Sequence, residues 1–424
     1  MAIKISKTFC VKPFNEIYIG VDGKFKFCCV DSGRFLESIP AKFDISNTEI
    51  VEVFNNHNYQ YMRLMLLNDK IPDTCKKCFY NDDGSNTQGP RIDLLNAFKA
   101  YGKKQNQQEY YQQFKNLMSV KNIQNIELWF ENKCNLKCRM CNPYCSDQLV
   151  DEWAGMINSN EWMKQNLSTK QIQKNKNWVE DPNSWNNLFN LIKEITRDNT
   201  DHTLNITMAG GEPFLSDGMY RILDFCIDQN ISNQVMLCYK TNLTILPQKL
   251  IDRWKHFKHV KVEASADGYE KTFEYVRYPA SWKKFVENIK RLKNIDNVSI
   301  LVHPTIQAYN VLSITDLYQW CVDLNIPFSR PTCVMYNPKI LNVKVLPIEL
   351  KKIAAERLLN FYFKNRENQN LKNRSQDQYI WLIKYMLSED LSIHFKDFVD
   401  FTHHVDKTRN QNILEIIPEL EKYL

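Results

Sequence analysis

Ile126-Glu127-Leu128-Trp129-Phe130-Glu131-Asn132-Lys133-Cys134-Asn135-Leu136-Lys137-Cys138-Arg139-Met140-Cys141 is the stretch that decides the reading of this chain. Its first five residues read as a strand, rich in apolar and aromatic side chains. Cys134, Cys138 and Cys141 then follow in one tight loop. Three thiolates so placed suit three corners of a four-iron cluster. A cluster that only transfers electrons takes four cysteine ligands. One that takes three keeps an open iron, where a small molecule can coordinate. Two plainer readings stand beside this one. Three close cysteines also suit zinc with a fourth ligand from elsewhere, and they also occur as buried thiols.

The chain has 424 residues, 43% of them hydrophobic, which suits about two to three domains with a real core. A net charge of +6 is too weak to argue for nucleic acid. Met1–Lys7 lead into no apolar run, so no signal peptide is expected. No apolar stretch reaches the ~18 residues of a membrane span. Thirteen cysteines without an export signal point to metal or catalysis rather than disulfides. The cytoplasm is the expected location.

Residues 1–90 read as a cysteine-bearing module. Glu16 to Phe27 is a predicted β-hairpin turning at Asp22-Gly23. Residues 50–68 have helical periodicity through Val53, Phe54, Tyr61, Leu64 and Met65. Residues 91–122 are polar and glutamine-rich, with a helical connector expected over Lys103–Phe114. Residues 123–336 alternate strand and helix. Strands are expected at 124–131, 203–209, 234–241, 258–265, 298–306 and 328–335, with helices at 217–229, 247–256, 281–293 and 313–324. This order argues for βαβ units on a parallel sheet, and six units suit an open, partial (β/α)6 TIM-like barrel. Residues 151–186 form an insertion carrying Trp153, Trp162, Trp178 and Trp185, either covering the barrel mouth or decorating its outside. Residues 337–424 read as a helical C-terminal extension, through Leu350, Ile353, Ala354, Leu358 and Phe361. Asp406 and Arg409 there read as an i,i+3 helical pair and nothing more.

A second motif, Met208-Ala209-Gly210-Gly211-Glu212-Pro213, follows the second expected barrel strand. Glycines let backbone approach a ligand closely, and ligands of parallel α/β sheets bind beyond the carboxyl ends of strands. Together the two motifs resemble the radical S-adenosylmethionine (radical SAM) superfamily, whose signature is Cys-x-x-x-Cys-x-x-Cys. Met140 is acceptable before the last cysteine. The resemblance implies the partial barrel and a SAM-binding [4Fe-4S] cluster on Cys134, Cys138 and Cys141. It implies contact of Gly210, Gly211, Glu212 and Pro213 with the amino group of SAM. At the next strand ends it implies Thr241 and Asn242, then Ser265 and Asp267 near the ribose or methionine part. Thr241 and Asp267-Gly268 also suit an ordinary cap and turn. Arg277 suits the SAM carboxylate, or a surface role. His303, Thr305 and Gln307 share one face by period-2 spacing, as substrate-pocket candidates or as core residues.

Cys10, Gly23, Cys28 and the Cys75-x-x-Cys78 pair resemble the SPASM/twitch auxiliary-cluster modules of the same superfamily. The further cysteine pair of a full SPASM module is missing after Asn81, which implies the shorter twitch version with one auxiliary [4Fe-4S] cluster on Cys10, Cys28, Cys75 and Cys78. Pro72–Cys78 and Arg91 look like the same family. The module precedes the barrel here, whereas it usually follows. Neighbours on a strand face opposite ways, so Cys28 and Cys29 do not serve one cluster together; the spacing from Gly23 selects Cys28. Four cysteines also satisfy zinc. Cys145, Cys226, Cys238, Cys321 and Cys333 read as buried thiols.

The resemblance implies an enzyme that reductively cleaves SAM to a 5′-deoxyadenosyl radical, which abstracts a hydrogen atom from a substrate. The auxiliary cluster would accept an electron, bind substrate or relay electrons. The implied partners are a peptide or small-molecule substrate and an external one-electron reductant such as flavodoxin or ferredoxin. A maturase of ribosomal peptides within the superfamily is one alternative. A zinc-stabilised nucleic-acid-binding protein is another, against which Gly210–Pro213 and the weak basic charge both speak.

Overall fold

The computed structural model describes residues 6–29, 31, 39–40, 42–80, 123–157, 161–166, 178–197, 203–329, 331–368 and 376–424. The expected connector at 91–122, with Arg91, lies outside them.

Among the described residues the strands are β1 (Glu16–Ile19), β2 (Phe25–Lys26), β3 (Asn125–Trp129), β4 (Leu204–Ala209), β5 (Val235–Thr241), β6 (His259–Ser265) and β7 (Val298–His303). They lie in one mostly parallel sheet in the order β2-β1-β3-β4-β5-β6-β7. With the helices between them, this is a partial TIM-like α/β fold.

The strand sequences explain the layering. On β4, Leu204, Ile206 and Met208 are buried while Asn205 and Thr207 are half-buried. On β5, Val235, Leu237 and Tyr239 alternate with Met236, Cys238 and Lys240. On β6, Val260, Val262 and Ala264 alternate with Lys261, Glu263 and Ser265. Successive side chains point to opposite faces, so on these three strands one face is core and the other is half-buried. Helices follow the same logic at their own period. Trp282–Leu292 buries Phe285, Asn288, Ile289 and Leu292 and places Lys290 and Arg291 in its last turn, where cations suit the helix dipole.

Three sequence expectations need correction. The hairpin forms, with Tyr18 opposite Lys26 and Gly23 at φ +75°, but it also extends the main sheet: β1 runs parallel to β3, with Ile17 opposite Ile126. The expected strand at 328–335 is reduced to two isolated bridges, Val302 to Phe328 and Ile306 to Val334. Pro327 and Pro331 lack the N–H a continuous ladder needs. The helix at 50–68 is two helices, Ile50–Phe54 and His57–Leu67, the second capped by Asn56, which accepts from Tyr59 N. The second helix buries Tyr59, Met62 and Leu66, so Tyr61 and Leu64 face outward.

The chain divides into two compact units. The first comprises 1–131, 175–239 and 249–260, and the second 132–174, 240–248 and 261–424. In the first, Trp178 and Trp185 are fully buried. Trp178 stacks near Phe130 and donates Nε1 to Trp129 O at 3.1 Å. These insertion tryptophans are therefore packing residues of that unit. In the second, Trp153 is also buried. Among the described residues, no helix is long and apolar enough to cross a membrane.

Gly210 sits at φ +119°, and a Cβ there would lie 2.8 Å from Glu131 O. Gly155 is helical, exposed, and open to a Cβ. Urea unfolding should therefore separate two formally identical changes. Gly210→Ala is expected to lose at least about 2 kcal/mol through strain and clash. Gly155→Ala is expected to gain about 0.5–1 kcal/mol.

Candidate functional site

In the second unit the cysteine loop is fixed mainly through its backbone. Asp147 accepts from Cys134 N at 3.1 Å, and Asp147 N donates back to Asn132 O at 2.8 Å. Ser146 Oγ donates to Leu136 O at 2.7 Å. Further along, Lys137 N donates to Tyr278 O at 2.6 Å and Arg139 N to Val276 O at 2.9 Å. Cys138 is buried, while Cys134, Met140 and Cys141 are partly accessible.

The end of β5 meets this loop, and the end of β6 meets the segment to which the loop's backbone is bonded. Asn242 Nδ2 donates to Asn135 Oδ1 at 2.9 Å and points at Cys134 Sγ, 4.0 Å away. Asn135 Nδ2 in turn donates to Thr244 Oγ1 at 2.8 Å. Thr241 Oγ1 accepts from Leu243 N at 3.0 Å, so its hydroxyl shapes the turn that presents Asn242. Asp267, fully buried past β6, lies 2.7 Å from Arg277 Nε. It also accepts from Thr305 N at 2.7 Å, and Asn310 donates to its carbonyl at 2.9 Å. Arg277 therefore has a protein carboxylate for a partner in this structure. Ser265 is half-buried. Gln307 is fully buried, and burial holds the His303 pKa below the ordinary histidine value.

Charge around Cys138 follows from these neighbours. A hydrogen bond with Cys141 lowers the Cys138 pKa against the effect of burial, and the Arg277 and Arg409 guanidinium groups add to the lowering. Cys141 is pushed up, first by its bond with Cys138 and then by burial. Arg409 is far away in sequence, and its one local signal is a buried charge on an otherwise apolar helix stripe. Arg139 is another residue the sequence reading passed over. Its side chain is fully buried, donates to Asp406, and stacks 3.7 Å from the Tyr275 ring centroid.

Gly210–Pro213 and the N-terminal cysteines belong to the first unit. Gly211 N donates to Glu131 O at 2.8 Å, so the paired glycines pass close to the end of β3. Glu212 is buried and accepts from Phe214 N at 3.1 Å, capping the short turn that Pro213 begins. Among the N-terminal cysteines, Cys29 is exposed and Cys10, Cys28, Cys75 and Cys78 are half-buried. The segments that carry them are stitched together. Thr8 Oγ1 donates to Leu66 O at 2.9 Å, and Arg63 Nε to Pro13 O at 2.8 Å, on either side of Cys10. Asp31 N donates to Cys28 O at 3.2 Å, and Thr74 Oγ1 donates to Asp31 at 2.7 Å, directly before Cys75. Cys75 lies 3.9 Å from Met62 Sδ. Of the five thiols expected to be buried, Cys226 and Cys321 are; Cys145, Cys238 and Cys333 are half-buried. Burial pushes Cys226 up to about 12.

Among the described residues, no three His, Cys, Asp or Glu side chains converge as a single metal ion would require. Cluster ligands sit on separate irons and need no common point. Both cysteine sets are soft thiols on short, anchored segments, a donor set that suits an iron–sulfur group.

Residues 130–320 match the model of the radical SAM superfamily. Residues 10–79 match that of SPASM, an iron-sulfur cluster-binding domain. The chain is a radical SAM superfamily enzyme with a SPASM/twitch-type domain. The first match implies a [4Fe-4S] cluster and SAM, and the second implies further iron–sulfur. Among solved structures, the chain is similar to anSMEcpe with bound AdoMet, at 14% identity and a TM-score of 0.39, covering 58% of this chain and 62% of that one. It is also similar to SuiB of Streptococcus suis bound to the precursor peptide SuiA, at 14% identity and a TM-score of 0.36, covering 62% and 52%. The chain thus spans about half to three-fifths of the length of these structures. No curated protein matches it.

Removing one partner of a buried ion pair strands the other charge, at a cost of about 3–5 kcal/mol. Asp267→Asn should lose that much in urea unfolding. The double variant Asp267→Asn/Arg277→Gln should lose less than the sum of the two single changes by at least about 1 kcal/mol. Strict additivity would show that the two side chains do not act as a pair.

Proposed function

We propose that this chain starts radical chemistry on a substrate C–H bond, with one [4Fe-4S] cluster held by Cys134, Cys138 and Cys141 and an auxiliary cluster held by Cys10, Cys28, Cys75 and Cys78. When bound, the first cluster and SAM supply a one-electron cleavage that yields methionine and a 5′-deoxyadenosyl radical able to take a hydrogen atom. The observation that carries this reading is the thiol loop itself. It offers three cysteines within eight residues, and its conformation is fixed largely by backbone bonds and by Asp147 and Ser146.

The remaining roles fall to this chain's own side chains. Asn242 and Asn135 hold the Cys134 end of the loop. Arg277 and Arg409 favour thiolate at Cys138, the form in which cysteine binds iron. Gly210 and Gly211 keep the segment before Glu212 free of Cβ atoms, so that backbone there can approach a bound amino group. Met140, Ser265 and Asp267 complete the set assigned to SAM. The half-buried sheet face, with Glu263, Lys261 and His303, is assigned to the substrate, a peptide or a small organic molecule. A cytoplasmic setting with an external one-electron donor completes the reading.

The test is an anaerobic assay on reconstituted, dithionite-reduced protein, with 5′-deoxyadenosine read by mass spectrometry. The wild type should form it, and Cys138→Ala should reduce it at least a hundredfold. Protein verified to hold the cluster but yielding no 5′-deoxyadenosine would overturn the reading. Zinc in place of iron and sulfide would move the chain to the zinc-stabilised class.

A further inference from the structure

The helix Phe395–Arg409 buries Phe398, Phe401, Thr402, Val405, Asp406 and Arg409. The spacing is that of an apolar stripe, yet its last turn buries two charges. Both are spent on the cysteine loop and its continuation. Asp406 Oδ1 accepts from Arg139 Nη2 and from Tyr275 OH at 2.8 Å. Its Oδ2 accepts from Ile413 N at 2.8 Å. Arg139 is the residue after Cys138, and no part of its side chain reaches solvent. It also donates Nη2 to Gln411 Oε1 at 3.0 Å and Nε to Tyr275 O at 3.2 Å. Three residues on, Arg409 takes Glu152 in a two-pronged grip, Nε to Oε2 at 3.0 Å and Nη2 to Oε1 at 2.6 Å. Glu152 lies on the helix Val150–Ile157, which leads away from the loop. The two side chains are 2% and 4% exposed, so solvent does not screen the pair.

We propose that the last turn of Phe395–Arg409 is a positioning element for the candidate cluster loop, with Asp406 acting through Arg139 and Arg409 through Glu152. The inference rests on the reading of Cys134, Cys138 and Cys141 as cluster ligands. Asp406 and Arg409 touch no candidate SAM contact by side-chain hydrogen bond; they fix what lies on either side of Cys138 and Cys141. The guanidinium of Arg139 is held by a carboxylate, an amide, a backbone carbonyl and a ring face, and each constrains it in a different direction. A planar fork so constrained sets the path of the loop. A helix that only filled space would do so with apolar side chains and avoid the desolvation of two ion pairs.

The experiment uses the full chain with Asp406→Asn, Arg139→Lys, the double variant, and His403→Ala on the exposed face of the same helix. Hydrogen exchange is read first on cluster-free protein. Peptides spanning 132–147 should exchange about tenfold faster in Asp406→Asn, while those spanning β4 stay unchanged. The double variant should match the single ones, and His403→Ala should match the wild type. On reconstituted protein, the electron paramagnetic resonance spectrum of the reduced cluster with SAM added should change in Asp406→Asn and not in His403→Ala.

Loop exchange and spectrum both at wild-type values would overturn the proposal and leave the helix as packing. If Asp406→Asn speeds exchange everywhere, Arg139→Lys, which keeps the charge and loses the fork, decides by the same two readouts. A wild type that takes up no iron–sulfur would instead overturn the functional reading, while exchange in the loop would still decide whether the helix positions it.

Discussion

The buried guanidinium of Arg139 is the constraint on which the second unit depends. A loop that must present thiols cannot also spend those side chains on its own stability. Its order has to come from backbone bonds and from the residues between the cysteines. Arg139 meets that need with a fixed fork of donors, and the surrounding unit is arranged to receive them. Tyr275 supplies a ring face and a carbonyl, Val276 and Tyr278 accept backbone N–H groups, and Asp406 supplies the countercharge. The segment 275–278 is thus held on one side by the loop. On the other, Arg277 turns inward to Asp267. The end of the helix Lys271–Val276 and the turn after it are thereby tied to two separate anchors.

The first unit solves the same problem mainly with side-chain to backbone bonds. The cysteines there lie on three segments far apart in sequence. The Thr8 hydroxyl donates to the Leu66 carbonyl on the helix His57–Leu67, the Arg63 guanidinium on that helix donates to the Pro13 carbonyl, and Asp31 joins the turn after Cys28 to the residue before Cys75. Lys12 sits in the same region. Burial pulls its pKa down, but Glu16 and Glu127 outweigh that and leave it raised. Strand β1 connects these features to the sheet, because Glu16 pairs in register with Asn125 and Tyr18 with Glu127. The hairpin is accordingly both a limb of the cysteine module and a member of the main sheet.

Local patterns made much of this legible. The alternation of β4, β5 and β6 is visible in the sequence because each strand buries one face only, and period two is the direct consequence. The turn at Asp22-Gly23 is visible because φ +75° selects glycine. The cysteine loop was readable from spacing, and it lies within the residues that match the family. What stayed hidden were relations that no local pattern encodes. Nothing in Glu16–Ile19 says that this strand lies beside β3, since an apolar strand suits a free hairpin as well. The strand expected at 328–335 failed because its apolar content was read without weighing Pro327 and Pro331. Asp406 and Arg409 were visible as a helical pair, but their partners are Arg139 and Glu152, more than 250 residues away. A charged residue on an apolar stripe is the one signal that could have singled them out.

The balance of buried charge near Cys138 is the last step. Arg139, Arg277 and Arg409 are each buried, and each faces a carboxylate: Asp406, Asp267 and Glu152. The three pairs are neutral in sum, and the attraction within each pair offsets part of the desolvation cost of its two ions. Such pairs add little stability over apolar packing of the same volume. Their value is that opposite charges accept few alternative arrangements in a low-dielectric interior, where a misplaced guanidinium costs several kcal/mol. Apolar packing would tolerate a loop that drifts by a rotamer. Three charge pairs converging from Asp267 at a strand end, the helix Val150–Ile157 and the C-terminal helix do not. The direction of the charges matters too, since Arg277 and Arg409 both lower the Cys138 pKa and thereby favour the ionised thiol. Arg277 and Arg409 thus act on Cys138 through their charge as well as through the segments they fix, adding to the lowering that the hydrogen bond with Cys141 begins.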